Sequence, residues 1–156
     1  MIQYLKKNIR LIILFVIFVW VFTFGYRFFL VSGDSMNPSK NNLDLVLVKK
    51  LSYDFENPRR GDVIVFYDYS EDDFLIKRVI AIAGDTVEII NGDIFINNKL
   101  YVDDFSYNKM GDGISYYLDV APETVDEGFV WVIGDNRNES WFGMIPIYAI
   151  VGLLHE

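Results

Sequence analysis

Residues 11–26, LIILFVIFVWVFTFGY, form an uncharged apolar run that limits the possible folds more than any other part of the sequence. The run continues to Leu30 past Arg27, whose long side chain can reach a lipid interface. About 20 apolar residues in a helix are enough to cross a bilayer core of ~30 Å. We therefore predict an N-terminal segment at residues 1–10, a transmembrane anchor at residues 11–30 and an extramembrane body at residues 31–156.

Charge separates the anchor from the body. Residues 1–30 hold four Lys/Arg and no acid, whereas residues 31–156 hold ten Lys/Arg and all 22 Asp/Glu, giving formal charges of +4 and −12. The cations before the apolar run predict a cytoplasmic N-terminus and an extracytoplasmic body. Acidity argues against a nucleic-acid partner, because phosphate binding needs clustered cations. A cleaved signal peptide is the alternative, but its apolar region usually spans only about 7–15 residues.

The body has the pattern of a mainly β domain. Short runs rich in Val, Ile and Tyr alternate with Gly, Asn and Asp, which is typical of strands and turns. The predicted strands lie within residues 44–53, 61–68, 76–84, 85–92, 93–102 and 129–135. Asn91-Gly92 predicts a hairpin turn, because both residues accept the positive φ of a type I′ turn. Residues 103–121 are more polar and predict a flap or a second hairpin.

Ser35 lies in VSGDSMNPS, residues 31–39, directly behind the apolar run. The chain has no cysteine and a single histidine, His155, which argues against thiolate metal sites and a Ser-His-Asp triad. A reactive serine would then need a carboxylate or a neutral lysine as its base. Lys77 lies among apolar residues in FLIKRVIAIAGD, where burial can lower the pKa of its amine. The alternative is that Lys77 and Arg78 are solvated strand residues. No metal or other cofactor is predicted.

Four stretches taken together point to one family. SGDSMNPS (32–39), RGDVIVF (60–66), KRVIAIAGD (77–85) and GDNRNES (134–140) follow the anchor in the order and spacing found in type I signal peptidases. The chain resembles that family over nearly its whole length. The resemblance implies a coiled antiparallel β-sheet catalytic domain on one membrane anchor. It also implies hydrolysis, by a Ser/Lys dyad, of the bond joining a signal peptide to an exported preprotein.

The resemblance also implies roles for individual residues. Ser35 matches the nucleophile and Lys77 its general base. Ser140 matches the serine that orients the lysine. Met36 matches a residue lining the substrate cleft. Gly33 stands where some members place an oxyanion-hole serine; glycine here resembles the Gram-positive branch and leaves the Ser35 N–H as the main oxyanion donor.

The last motif departs from the family pattern. Ser140 runs directly into WFGMIP, without the Asp-Ser-Arg segment that usually follows, so Ser140 also aligns with the serine of that segment. This gap leaves a peptidase dedicated to a few substrates, such as pilins, compatible with the sequence. It also keeps open a catalytically inactive chaperone for pilus assembly. A self-cleaving repressor-type Ser/Lys protease and a membrane-anchored binding module are further alternatives.

Overall fold

A computed structural model describes residues 2–50, 57–102, 104–106 and 119–154, apart from the side chains of residues 2–7 and 21. The chain begins with helix α1, Ile2–Gly25. Its segment Asn8–Gly25 has a mean hydropathy of 2.2, and among the described residues of this segment Gly25 alone is buried. Within the described ranges, this helix alone is long and apolar enough to cross a membrane.

The helix ends earlier than the predicted anchor, at Gly25, and Tyr26–Leu30 form a strand instead. Residues 26–30 pair one for one with residues 45–49, so their backbone groups find partners in a sheet. Glycine weakens a helix, and the aromatic residues that follow suit a pleated strand. The helical part of the predicted 11–30 segment is therefore corrected to end at Gly25.

The rest of the described chain is mainly antiparallel β, as predicted. Its strands are β1 (Tyr26–Leu30), β2 (Leu45–Lys49), β3 (Val63–Asp68), β4 (Asp73–Ile82), β5 (Thr86–Ile90), β6 (Asp93–Ile96), β7 (Lys99–Leu100), β8 (Val120–Thr124), β9 (Phe129–Ile133), β10 (Phe142–Pro146) and β11 (Ile150–Leu154). A short 3-10 helix, Ile147–Ala149, precedes β11. Every strand pair is antiparallel.

The strands form two sheets. The larger has the order β1-β2-β11-β3-β4-β9-β10, and the smaller has the order β7-β6-β5-β8. Strand β11 therefore lies between β2 and β3 and joins the β1–β2 hairpin to the rest of the larger sheet. Gly152 permits this close packing, because a Cβ there would lie 2.9 Å from the Lys49 carbonyl carbon and from a Val48 methyl group.

Two apolar clusters hold the two sheets together and fix the segment that follows β1. One joins the sheets, with Ile80, Trp131 and Ile133 of the larger sheet against Val87 and Ile89 of the smaller. The other contains Met36 together with residues of β2, β3 and β11. Burial of this apolar area is the main force that fixes the segment after β1 on the sheet.

The predicted hairpin turn is confirmed. Ile90 pairs with Asp93, leaving Asn91 and Gly92 as a two-residue loop, with φ of 50° and 79°. The predicted flap lies mostly outside the described residues, which omit 103 and 107–118. Its last two residues, Val120 and Ala121, belong to β8, which pairs with β5, and the flap or hairpin stays a prediction.

Candidate active site

Ser35 lies in a tight turn between β1 and β2. The turn is closed by Asn37 N–H donating to the Asp34 carbonyl at 3.1 Å and Lys40 N–H donating to the Met36 carbonyl at 2.9 Å. Met36 is 1% exposed and packs in the apolar cluster beneath the turn. The buried Met36 side chain thus anchors the residue next to the serine, whose own side chain stays partly accessible.

Lys77 reaches Ser35 from the centre of the same sheet. It lies on β4, between β3 and β9, and its Nζ donates a hydrogen bond to Ser35 Oγ at 2.8 Å. The lysine is only 4% exposed. The serine and lysine predicted from the sequence are thus in direct contact, although 42 residues separate them in the chain.

Burial of Lys77 lowers the pKa of its amine. Loss of solvent disfavours the ammonium form and lowers the pKa of Lys77 from 10.5 to about 8, against an opposing effect from the negative charge of Asp135. Among the described residues Lys77 forms no ion pair. About a tenth of this amine is therefore neutral at pH 7, and this fraction is able to accept a proton.

The Asp135 carboxylate pairs with Arg78, the residue next to Lys77. Arg78 Nε and Nη2 donate to the two Asp135 oxygens, each at 2.8 Å, and Nη1 donates to the Gly61 carbonyl at 2.7 Å. The Arg78 guanidinium also lies 3.6 Å from the centroid of the Phe105 ring. Both members of the ion pair are buried. Because Arg78 binds both carboxylate oxygens, Asp135 acts on Lys77 only as a nearby charge.

The loop at residues 134–140 holds the backbone of the serine. Asn136 N–H donates to the Ser35 carbonyl at 3.0 Å, and its Nδ2 donates to the Asp34 carbonyl at 3.1 Å. Gly134 lies so close that a Cβ there would contact the Ser35 carbonyl oxygen and come within 2.8 Å of Ser140 Cβ. The loop and the serine turn therefore fit together only without a side chain at position 134.

Ser140 has different partners from those predicted. Its Oγ accepts from Gly134 N–H at 2.7 Å and donates to the Trp141 carbonyl at 2.8 Å. Among the described residues, no hydrogen bond joins it to Lys77. Ser140 thus closes the loop that touches Ser35, and strand β10 begins only two residues later, at Phe142.

Gly33 and Ser35 differ in the use of their backbone N–H groups. Gly33, with a φ of 90°, donates to Asn42 Oδ1 at 3.1 Å. Ser35 N–H donates to no acceptor among the described residues. The N–H beside the serine hydroxyl is therefore available to a bound group, whereas that of Gly33 is already used.

A cleft of about 220 Å³ opens beside the serine and lysine. Its walls come from the end of β1 and from β4, and Met36 and Val65 also line it. The main apolar wall residues are Phe29, Val31, Phe74 and Ile76.

The sequence did not indicate several residues that shape this site. Asn136, Arg78 and Asp135 fall inside the motif stretches, but their contacts depend on the fold. Asn42 lies outside them. Of the main apolar cleft-wall residues, Ile76 alone fell in a predicted strand, whereas Phe29 was assigned to the anchor and Phe74 to no element.

The fold and the site define a mainly antiparallel β protein with a contacting serine–lysine pair beside a cleft. The family model described as "Signal peptidase, peptidase S26" matches residues 1–155. Signal peptidase I of Bacillus caldolyticus is 36% identical over 141 residues, covering 83% of this chain and 77% of that protein. Probable signal peptidase I-1 of Synechocystis sp. is 32% identical over 168 residues, covering 96% of this chain and 80% of that protein.

A solved structure agrees in fold. The crystal structure of a signal peptidase I from Enterococcus faecalis V583 has a TM-score of 0.53 and 27% identity, covering 64% of this chain and 98% of that chain. Thylakoidal processing peptidase 1 of Arabidopsis thaliana is 36% identical over 137 residues. The matched region spans 78% of this chain but only 38% of that relative. This chain belongs to the signal peptidase S26 family.

Proposed function

We propose that this chain is a membrane-anchored serine endopeptidase that removes signal peptides from exported preproteins. The observation that carries the proposal is the 2.8 Å contact between Ser35 Oγ and the Nζ of a buried Lys77. Membership of the S26 family supports the same reaction. Retention of both groups in contact argues against the inactive pilus chaperone, which would have no use for a dehydrated amine.

In the acylation step, neutral Lys77 Nζ takes the hydroxyl proton as Ser35 Oγ bonds to the carbonyl carbon of the scissile peptide bond. The carbonyl oxygen becomes an oxyanion, and Ser35 N–H is the donor available to it. One such preorganised donor is typically worth about 3–4 kcal/mol. Collapse breaks the C–N bond, Lys77 passes its proton to the leaving amine, and the signal peptide remains as an ester on Ser35.

In the deacylation step, Lys77 is neutral again and takes a proton from water. The water oxygen adds to the ester carbonyl, Ser35 Oγ leaves, and Lys77 returns the proton to it. The products are a signal peptide with a free carboxylate and the restored serine. Both steps need the same amine in its uncharged form.

The cleft suits an extended substrate. A peptide lying between β1 and β4 can pair with strand backbones, and alternate side chains then face the same wall. Met36 lies below this wall beside the serine, which favours small side chains before the cut. The short segment after Ser140 favours a peptidase with few substrates, and pilin precursors therefore belong among those tested.

The cations ahead of the anchor support a cytoplasmic N-terminus with the β domain outside the membrane. A signal peptide lies in the same bilayer as the anchor. Sharing a membrane raises the effective concentration of substrate at the cleft.

The test uses the full chain in lipid vesicles with a precursor that has small residues one and three positions before the cut. We expect Ser35→Ala and Lys77→Ala each to reduce kcat by more than about 10³-fold. Lys99→Ala, at an exposed position on β7, is the matched control and should cleave normally. Circular dichroism checks folding. Undiminished cleavage by a folded Lys77→Ala variant would refute the proposal.

A further inference from the structure

The membrane anchor enters the catalytic sheet without a linker. Tyr26, the first residue of β1, directly follows Gly25, the last residue of α1. Strand β1 in turn leads to the cleft, where Phe29, Leu30 and Val31 form part of the wall. The helix thus ends one short strand away from the site of the proposed chemistry.

Three kinds of contact fix this junction, which comprises residues 22–28 and Lys50. Lys50 N–H donates to the Gly25 carbonyl at 2.9 Å, and Lys50 Nζ donates to the Thr23 carbonyl at 3.2 Å. These carbonyls lie at the helix end, where partners within the helix run out and where a cation is favourable. The Phe22 ring packs on Tyr26 and Phe28, at centroid distances of 5.8 and 6.3 Å.

Packed and paired structure continues from the junction to β4, the strand that carries Lys77. Strand β1 pairs with β2 along its whole length. The Arg27 guanidinium lies 4.7 Å from the centroid of the Phe29 ring and 4.9 Å from that of Phe74, so it bridges β1 and β4. The Phe29 and Phe74 rings also pack edge to face at 5.2 Å. The helix end and the strand that carries Lys77 are therefore connected through packed, paired structure.

We infer that this junction determines substrate specificity by fixing the height of Ser35 above the membrane. The inference rests on the proposed function. A preprotein whose apolar segment lies in the same bilayer presents each peptide bond at a height set by its distance from that segment, about 3.3 Å per extended residue. A nucleophile at one fixed height then selects one spacing between the apolar segment and the cut. A nucleophile on a flexible tether would accept many different spacings.

The test measures kcat/KM in vesicles for precursors whose cleavage site moves residue by residue away from the apolar segment. For the native chain we expect one preferred spacing, with a fall of about tenfold when the site moves by two residues. An eight-residue Gly/Ser insertion between Gly25 and Tyr26 should reduce this difference in kcat/KM between spacings to about twofold. The flexible tether would then let Ser35 sample many heights above the membrane. The same insertion at the Asn91-Gly92 turn is the control and should retain the native profile.

A soluble peptide without an apolar segment reports whether the site itself is intact, and all of these variants should cut it equally. A second variant leaves the junction untouched. Four apolar residues inserted between Ile17 and Phe18 lengthen the helix by about one turn, or ~6 Å. The preferred spacing should then move outward by about two extended residues. This variant decides the matter if the Gly/Ser insertion impairs cleavage of the soluble peptide.

Two failures can be told apart. If the native chain cuts in a Ser35-dependent manner but both insertions retain its spacing profile, the junction does not set specificity and the proposed function stands. If the native chain shows no Ser35-dependent cleavage, the proposed function is wrong and the inference falls with it.

Discussion

Arg78 and Asp135 form a buried bidentate ion pair beside the serine–lysine contact, although 57 residues separate them in the chain. The pair ties β4, which carries Lys77, to the loop that holds the Ser35 backbone. It also occupies the carboxylate that would otherwise be free to pair with Lys77. This arrangement leaves the lysine buried and, among the residues that the structure describes, without a counter-ion.

Removing one member of this pair should cost far more than removing both. Asp135→Asn leaves the Arg78 guanidinium buried without its counter-charge, and we expect a loss of about 3–5 kcal/mol in the free energy of unfolding. Adding Arg78→Met should recover part of that loss. Urea unfolding of the variants gives the coupling free energy between Arg78 and Asp135. As a control, Lys99→Met at an exposed position on β7 should change the free energy of unfolding by less than about 0.5 kcal/mol. Additive effects at Arg78 and Asp135 would contradict this account.

Activity should depend on pH through the protonation of Lys77. Burial lowers the pKa of this amine to about 8, and only the neutral form can act as the base. Below that pKa, kcat/KM should fall about tenfold for each pH unit, with a plateau above it. Rates between pH 6 and 9.5 with a precursor check this. A profile that stays flat between pH 6 and 8 would argue against a lysine base.

Lys77 should reduce the stability of the folded chain. The folded pKa lies below the unfolded value of 10.5, so the unfolded chain binds the proton more readily. The free energy of unfolding should therefore rise with pH between about 8 and 10.5, and the full cost, about 3 kcal/mol, applies below that window. Lys77→Met should raise stability at pH 7 by up to that amount and remove this part of the pH dependence.

The control for this stability measurement is Lys99→Met at an exposed position on β7, which should change the free energy of unfolding by less than about 0.5 kcal/mol. Denaturant unfolding at pH 7 and pH 10.5 makes the comparison. Equal stabilities of the native chain and Lys77→Met at pH 7 would show that the amine is not desolvated.

Gly134→Ala should separate the serine from its supporting loop. The added Cβ would contact the Ser35 carbonyl oxygen and Ser140, both of which belong to constrained structure. Overpacking of this kind typically costs about 1–3 kcal/mol, and a displaced nucleophile reduces kcat by about 10²-fold. Lys99→Ala, at an exposed position on β7, is the control and should keep normal turnover. Normal turnover by Gly134→Ala would mean that the loop does not position Ser35.

Ser140→Ala distinguishes the two roles considered for this hydroxyl. In the structure Ser140 Oγ bonds to Gly134 and Trp141, so its loss should weaken the loop and cost about 1–3 kcal/mol. The activity should fall, while the pH at which activity is half-maximal stays the same. A shift of that pH would instead favour the lysine-orienting role predicted from the sequence.

Local patterns predicted the parts of the fold that depend on local chemistry. Asn91-Gly92 specifies its turn because few residues tolerate positive φ. The alternation of apolar residues located β2, β3, β4 and β9 of the larger sheet and β5 and β6 of the smaller sheet. Four strands were missed. The residues of β1 were assigned to the anchor, and proline or glycine interrupts the pattern of the other three: β8 contains Pro122, β10 contains Gly143 and Pro146, and β11 contains Gly152. Strands β8 and β10 lie at sheet edges, where proline is tolerated.

The candidate site was only partly readable from the sequence. Ser35 and Lys77 were recognisable because the motifs place them in order and an apolar context surrounds the lysine. The sequence could not show that Arg78 is buried as well, since its counter-ion and the ring of Phe105 come from distant segments. Nor could the sequence show which groups Ser140 would bind. Its hydroxyl bonds to the Gly134 N–H and the Trp141 carbonyl, which lie in the same loop, and not to the more distant amine of Lys77.

Strand β11 has a consequence for the making of the molecule. The turn with the alcohol belongs to the β1–β2 hairpin, the amine belongs to β4, and residues 150–154 supply the strand between those two halves of the sheet. A ribosome completes both reactive groups long before it reaches that bridging strand. The alcohol and the amine therefore cannot be held in one continuous sheet until residues 150–154 have been synthesised and paired with β2 and β3.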